Sequence, residues 1–371
     1  MTRRPVLVVL GTRPEAIKLA PVLAALAGSP HLRPRLCVSG QHREMLDQML
    51  AVFGLTPDHD LAVMQPGQEL GGLTARIVTG LAPVLAAERP AALLVQGDTT
   101  TAFAAALAAF YAGVPVGHVE AGLRTGRLDQ PFPEEMNRRL VTQLARWHYA
   151  PTERAAAALR REGVGADRII VSGNPVVDAL QAIAAGAPAP PPELADLGAA
   201  RLLLVTGHRR ESFGPGLAGL CDALAALADR FADLRIVYPV HLNPSVHGPV
   251  RARLGAHPRI TLTAPLDYLA FVALLRRAHL VITDSGGVQE EAPSFAVPVL
   301  VTRAATERQE ALDAGVARLV GTDRDAIVAA ASALLADPAA HAAMRATANP
   351  FGDGQAAARI VDHLAAALNA R

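Results

Sequence analysis

Val6-Leu7-Val8-Val9-Leu10-Gly11-Thr12-Arg13-Pro14-Glu15 is the stretch whose reading decides the fold. Five apolar residues predict a strand buried on both faces, Gly11-Thr12 a small-residue turn, and Pro14 the start of a helix. The unit recurs. Ala91–Val95 runs into Gln96-Gly97-Asp98-Thr99-Thr100-Thr101 and an Ala-rich helix, and Val114–Val119 runs into Glu120-Ala121-Gly122-Leu123-Arg124. In the second half, Leu202–Val205 leads to Thr206-Gly207-His208-Arg209-Arg210-Glu211-Ser212, and Leu280–Thr283 leads to Asp284-Ser285-Gly286-Gly287-Val288-Gln289-Glu290-Glu291. Val297–Val301 then leads to Thr306-Glu307-Arg308. Repeated strand–loop–helix units predict parallel β/α construction, so the expected fold class is α/β, with two doubly wound Rossmann-like domains facing a central cleft.

Length and composition agree with two domains. At about 150 residues per domain, 371 residues give two to three. Half the chain (51%) is apolar and 19% is charged, which excludes a disordered protein. Lys+Arg 35 against Asp+Glu 34 leaves no bulk field for nucleic acid or an anionic membrane, so neither is an expected partner. Cys37 and Cys221 form no disulfide framework and no zinc spacing, which points to the reducing cytoplasm. Arg3-Arg4 precedes an apolar run too short for a signal peptide, and Ala102–Val116 is too short to span a bilayer and reads as a buried helix. Ala185–Ala200, with Pro188, Pro190, Pro191 and Pro192, reads as a surface connection. The expected domains are 1–174 plus 355–371, and 175–354, the last helix crossing back to the first domain.

In doubly wound sheets ligands bind at the carboxyl ends of the strands, where these polar loops lie. No Gly-x-Gly-x-x-Gly follows the first strand and no P-loop is present, so dinucleotide and P-loop readings lose their support. His118-x-Glu120 has the start of a deaminase pattern but no Cys pair completes it, and no metal is expected. Asp284-Ser285-Gly286-Gly287 before a helix suits a diphosphate, the glycines allowing close approach of backbone N–H groups. Asp98, Glu120, Glu134 and Glu135 taken singly read as caps or solvated charges. With Arg13, Lys18, His208, Arg209 and Arg210 at loop positions, they describe an acid/base site beside an anion site. Lys18 is the one lysine among 35 basic residues, which singles out a position where a compact ammonium is preferred to a guanidinium.

Gly11-Thr12-Arg13-Pro14-Glu15-Ala16-Ile17-Lys18, Gln41-His42-Arg43-Glu44-Met45, Gly97-Asp98-Thr99-Thr100 and His118-Val119-Glu120-Ala121-Gly122-Leu123-Arg124 form one ordered set. Pro133-Glu134-Glu135-x-Asn137-Arg138, Gly207-His208-Arg209-Arg210-Glu211, Pro239-Val240-His241-Leu242-Asn243-Pro244, Asp284-Ser285-Gly286-Gly287-x-Gln289-Glu290-Glu291 and Asn349-Pro350-x-Gly352-Asp353-Gly354 continue it. The whole chain resembles the non-hydrolysing UDP-N-acetylglucosamine 2-epimerases. Gln96 departs from the histidine often found before Gly-Asp, Gln309 replaces a proline, and Gly67 stands where some relatives carry an arginine linked to an allosteric site. The resemblance implies a glycosyltransferase-B-like architecture, a homodimer, and interconversion of UDP-GlcNAc and UDP-ManNAc without NAD or another cofactor.

The resemblance also implies roles. Asp98, Glu120 and Glu134 serve proton transfer and ring hydroxyls; Arg13 and His208 stabilise the departing diphosphate, with Arg209 beside them; Lys18 supports the acidic cluster. Ser285, Gly286 and Gly287 hold phosphate, Glu291 binds ribose, Phe271 lies near uracil, and Arg308 lies on the sugar side. A glycosyltransferase of the same architecture, a 2-epimerase for another UDP-sugar and a nucleotide-sugar sensor are the alternatives. The crowd of carboxylates weighs against the sensor.

Overall fold

The computed structural model describes residues 3–40, 43–65, 67–194, 197–207, 214–345 and 348–370. Two compact units emerge, Met1–Ala179 with Phe351–Arg371, and Leu180–Pro350. The division falls inside the helix Pro175–Ala185 rather than before it. The start of that helix belongs with the first unit because the Ala357 N–H donates to Asp178 (2.8 Å) and Val176 and Val177 are buried. Phe351 joins the same unit through its carbonyl, which accepts from the Asn174 N–H (2.7 Å).

The first unit holds β1 (Arg4–Leu10), β2 (Leu32–Val38), β3 (His59–Asp60), β4 (Ala92–Gln96), β5 (Val116–Val119), β6 (Trp147–Ala150) and β7 (Ile169–Val171). All pair in parallel, in the order β3-β2-β1-β4-β5-β6-β7. The second unit holds β8 (Arg201–Thr206), β9 (Leu234–Pro239), β10 (Ile260–Thr263), β11 (Ala278–Thr283), β12 (Val299–Val301) and β13 (Ala317–Leu319), again parallel, in the order β10-β9-β8-β11-β12-β13. The expected α/β class with two doubly wound sheets is the one found. Val6–Leu10, Leu93–Val95, Leu203–Val205 and Val281–Ile282 are fully buried, as strands covered on both faces must be.

Helices fill the faces. The Ala-rich helix Thr100–Tyr111 packs against the helices Leu70–Glu88 and Glu134–Leu144, its alanines allowing close approach. It stops at Tyr111, and Gly113 takes a left-handed turn (φ +69°) into β5, so the apolar run Ala102–Val116 divides into helix, turn and strand. Leu70–Glu88 is, by length and composition, apolar enough to cross a bilayer; its Leu73, Ile77, Leu81, Val84 and Leu85 form a helical stripe buried in this unit. The C-terminal helix Ala356–Asn369 packs on the helix Arg13–Gly28, where Arg4 donates to the Leu368 carbonyl (2.5 Å).

Both strand orders reverse at one point, between β1 and β4 and between β8 and β11. The loops after those strands are Gly11–Thr12 and Gly97–Thr99 in the first unit, and Gly207 and Asp284–Ser285 in the second. Doubly wound sheets bind ligands at such reversals. Gly122 fixes the path of the chain after β5: its φ is +96°, and an added Cβ would stand 2.3 Å from the Ala155 carbonyl oxygen. Gly122→Ala is expected to cost about 2 kcal/mol or more, read as a lower urea midpoint, and an unchanged midpoint would contradict this packing.

Candidate active site

Glu120 is the residue after β5 and sits in the left-handed region (φ +62°), which a non-glycine residue adopts only when its surroundings hold it there. Three donors do so. The Lys18 ammonium forms an ion pair with Oε1, the Gln96 amide donates to Oε2, and the Asn174 amide donates to Oε1 at 2.9 Å. Lys18 and Glu120 are each only 7% exposed, so the charge pair is buried. The donors come from the helix after β1, from the end of β4 and from the turn after β7.

Asp98, one strand away at the end of β4, is held by a second relay. Its carboxylate pairs with Arg138, and its carbonyl accepts from the Asn137 amide (3.0 Å). Arg138 is buried and also meets Glu135 (3.2 Å), whose carboxylate takes the Thr125 N–H (3.0 Å) and Arg139 (3.1 Å). Of the adjacent pair, Glu135 is therefore a fully buried brace, while Glu134 heads the helix Glu134–Leu144 and is half-buried. Arg13 heads the helix after β1 and is also half-buried. The first unit thus brings Lys18 to Glu120 directly and sets Asp98 on the neighbouring strand end. Gln96, Asn137 and Arg138 stand inside the stretches quoted above and Asn174 outside them, and none receives a role from sequence alone, because their partners lie 24 to 54 residues away.

In the second unit, Thr206 and Thr283 join the ends of β8 and β11 through their hydroxyls (2.5 Å), and the Thr283 hydroxyl also accepts from the Ser285 N–H (2.9 Å). Ser285 caps the short helix Gly286–Glu291 by position, without a side-chain capping bond. Arg308 lies across Gly286, where an added Cβ would be 2.9 Å from its Cζ, so a side chain there would displace the guanidinium. Glu290 (2.8 Å) and Glu307 brace the guanidinium. Glu291 is buried and accepts from the Tyr268 hydroxyl (2.9 Å), and Phe271 is half-buried on the helix Tyr268–Arg277. His208 and Arg209 lie outside the described residues. Among the described residues, no group of three or more His, Cys, Asp or Glu is placed to hold a metal.

Comparison with known proteins places this geometry. The family model of UDP-N-acetylglucosamine 2-epimerase matches residues 24–365. The UDP-N-acetylglucosamine 2-epimerase of Escherichia coli (strain K12) is 51% identical over 373 residues, covering 97% of this chain and 98% of its own. The crystal structure of the UDP-GlcNAc 2-epimerase from Neisseria meningitidis bound to UDP-GlcNAc has a TM-score of 0.89 and 43% identity, over 97% of this chain and 99% of that one. The Methanocaldococcus jannaschii enzyme in complex with UDP-GlcNAc and UDP has a TM-score of 0.82 and 31% identity, over 97% and 99%. The chain belongs to the UDP-N-acetylglucosamine 2-epimerase family.

Behind the carboxylates lies a pair of buried imidazoles. His118 on β5 and His148 on β6 are direct cross-strand neighbours, both fully buried. His118 Nε2 is 2.7 Å from the Gly97 carbonyl, which can only accept, so Nε2 carries the proton. Its Nδ1, and both ring nitrogens of His148, have no hydrogen-bond partner among the described residues. Burial pushes the His118 pKa down to about 4 and, with His118 adding to it, that of His148 down to about 3.

Both rings are therefore neutral in the folded protein below the pH at which they charge in the unfolded chain. Stability is complete above about 6.5 and is lost as pH falls toward 4, by about 1.4 kcal/mol per pH unit per ring. His148→Leu removes one ring that has no hydrogen-bond partner among the described residues. Between pH 7 and pH 4.5 it is expected to lose about 2–3 kcal/mol less stability than wild type, measured by denaturant unfolding. Equal losses in the two proteins would contradict this reading.

Proposed function

We propose that the chain interconverts UDP-N-acetylglucosamine and UDP-N-acetylmannosamine by eliminating UDP to 2-acetamidoglucal and adding it back. The observation that carries the proposal is a pair of separately anchored carboxylates at neighbouring strand ends: Glu120 held by Lys18, Gln96 and Asn174, and Asp98 held by Arg138. The sugar C2–H has no adjacent carbonyl, so its simple deprotonation is very difficult. Elimination avoids that carbanion. The C2 proton passes to a carboxylate, the C–H electron pair becomes the C1=C2 double bond, and the C1–O pair leaves with UDP. Protonation of C2 from the opposite face and attack of UDP oxygen on C1 complete the epimerisation.

Protons must reach both faces of one ring, which a single fixed carboxylate supplies poorly. Asp98, Glu120 and Glu134 share proton transfer and ring-hydroxyl contacts. Lys18 balances the charge of the cluster, and Arg13 and His208, with Arg209, take the developing charge of the diphosphate. Ser285, Gly286 and Gly287 hold phosphate, Glu291 the ribose, Phe271 the uracil side and Arg308 the sugar side. In this reading the protein is a cytoplasmic homodimer that needs no cofactor and feeds cell-surface polysaccharide synthesis. Its two cysteines are both buried and free, and burial drives their pKa values up to about 12 (Cys37) and about 11 (Cys221).

Asp98→Asn, Glu120→Gln and Glu134→Gln are each expected to lower turnover ~10²-fold or more while UDP binding survives. In D₂O, product formed from UDP-GlcNAc alone is expected to carry deuterium at C2 and nowhere else on the ring. Product that keeps protium at C2, or three variants with wild-type turnover, would overturn the assignment.

A further inference from the structure

We infer that Glu15 is a positioning residue of this reaction, whose carboxylate locks the loop after β1, which leads into Arg13, to the loop after β4, which carries Asp98. This inference rests on the function proposed above. Oε2 of Glu15 accepts from the Gly11 N–H (3.0 Å) and the Thr12 hydroxyl (2.7 Å), and Oε1 accepts from the Thr99 hydroxyl (2.7 Å). Thr99 follows Asp98 directly and caps the helix Thr100–Tyr111 by accepting from the Ala102 N–H (3.0 Å). With its oxygen already receiving that N–H, the Thr99 hydroxyl proton is directed at Glu15.

A simple helix-capping role explains the site poorly. Thr12-x-x-Glu15 has the spacing of a capping box, in which the threonine side chain caps and the exposed glutamate reaches back to its N–H. Glu15 does take the Thr12 backbone N–H, as in such a box, but the Thr12 side chain makes no capping bond and Glu15 is completely buried. One of its oxygens crosses the reversal point of the sheet to a residue 84 positions away. Gly11 is also closely packed: a Cβ there would lie 2.2 Å from Oγ of Ser39, just after β2, and 2.4 Å from Oγ1 of Thr101 in the helix after β4.

Burial pushes the Glu15 carboxyl up to about 7, and no basic side chain is bonded to it among the described residues. A carboxyl without a counter-ion at such a site is a costly way to cap a helix. The Gly11 N–H can only donate, so Oε2 must stay an acceptor, while the Thr99 hydroxyl proton falls to Oε1. With His118 on the Gly97 carbonyl, and Asn137 and Arg138 on Asp98, Glu15 completes a grip on Gly97-Asp98-Thr99 from four side chains.

The test is the primary kinetic isotope effect with UDP-GlcNAc deuterated at C2, measured with kcat and KM for wild type, Glu15→Gln, Thr99→Val and Thr99→Ser. Misplacing Asp98 is expected to lower kcat about tenfold in Glu15→Gln and Thr99→Val, with KM within about twofold. The isotope effect should rise as proton transfer becomes slower. Thr99→Ser, which keeps the hydroxyl, should restore the wild-type isotope effect. A smaller folded fraction lowers the apparent kcat but cannot change the isotope effect, and Thr99→Val carries the test if Glu15→Gln fails to fold. An isotope effect unchanged in both variants, with wild type active, would overturn the role of Glu15. A wild type that epimerises nothing would instead overturn the proposed function.

Discussion

A carboxylate taken out of water at the end of a parallel strand is stable only if donors replace its hydration, and Glu120 shows how closely those donors are specified. Lys18 and Asn174 meet one oxygen and Gln96 the other. A guanidinium in place of the ammonium would span both oxygens and displace the amides, which explains a lysine in a chain whose other basic residues are all arginine. Removing one partner of such a buried pair typically costs about 3–5 kcal/mol. This arrangement holds the left-handed backbone at Glu120 and ties the turn at Asn174 to it.

The same logic extends along the first sheet. Strand order places the ends of β1, β4 and β5 side by side, and each end presents a different group: Arg13 and Lys18 on the helix after β1, Asp98 after β4, Glu120 after β5. None of the acids is left to find its own orientation. Glu120 is fixed by three side chains, and Asp98 by an arginine that is itself fixed by a fully buried glutamate. The second unit repeats the sheet but not the chemistry. Its reversal point carries hydroxyls and a glycine, Thr206, Thr283, Ser285 and Gly286, with the braced Arg308 lying over Gly286.

The sheet strands were legible because buried parallel strands read as short apolar runs, and the loops because glycine and small polar residues interrupt those runs. Ala102–Val116 reads as a buried helix and Val114–Val119 as a strand, and the two readings overlap because alanine composition does not mark where Gly113 turns the chain. Lys18, Asp98 and Glu120 were legible as charges placed at strand ends. Their fixing partners were not, because Arg138 meets Asp98 across 40 residues and Lys18 meets Glu120 across 102. Glu15 and His118 were visible only as motif letters. A capping glutamate and a core histidine look the same in sequence as a carboxylate and an imidazole that grip the Gly97–Thr99 loop.

The central claim is that these anchored carboxylates serve an elimination, in which the bond between the sugar and UDP is broken in every turnover. The most direct measurement is positional isotope exchange. UDP-GlcNAc carrying ¹⁸O in the C1–O–P bridge is incubated with the protein, and the ³¹P spectrum is followed. If UDP departs and rotates before adding back, the label moves into nonbridging positions of the same phosphorus as epimer accumulates. Epimer formed with all of its label still in the bridge would contradict the claim.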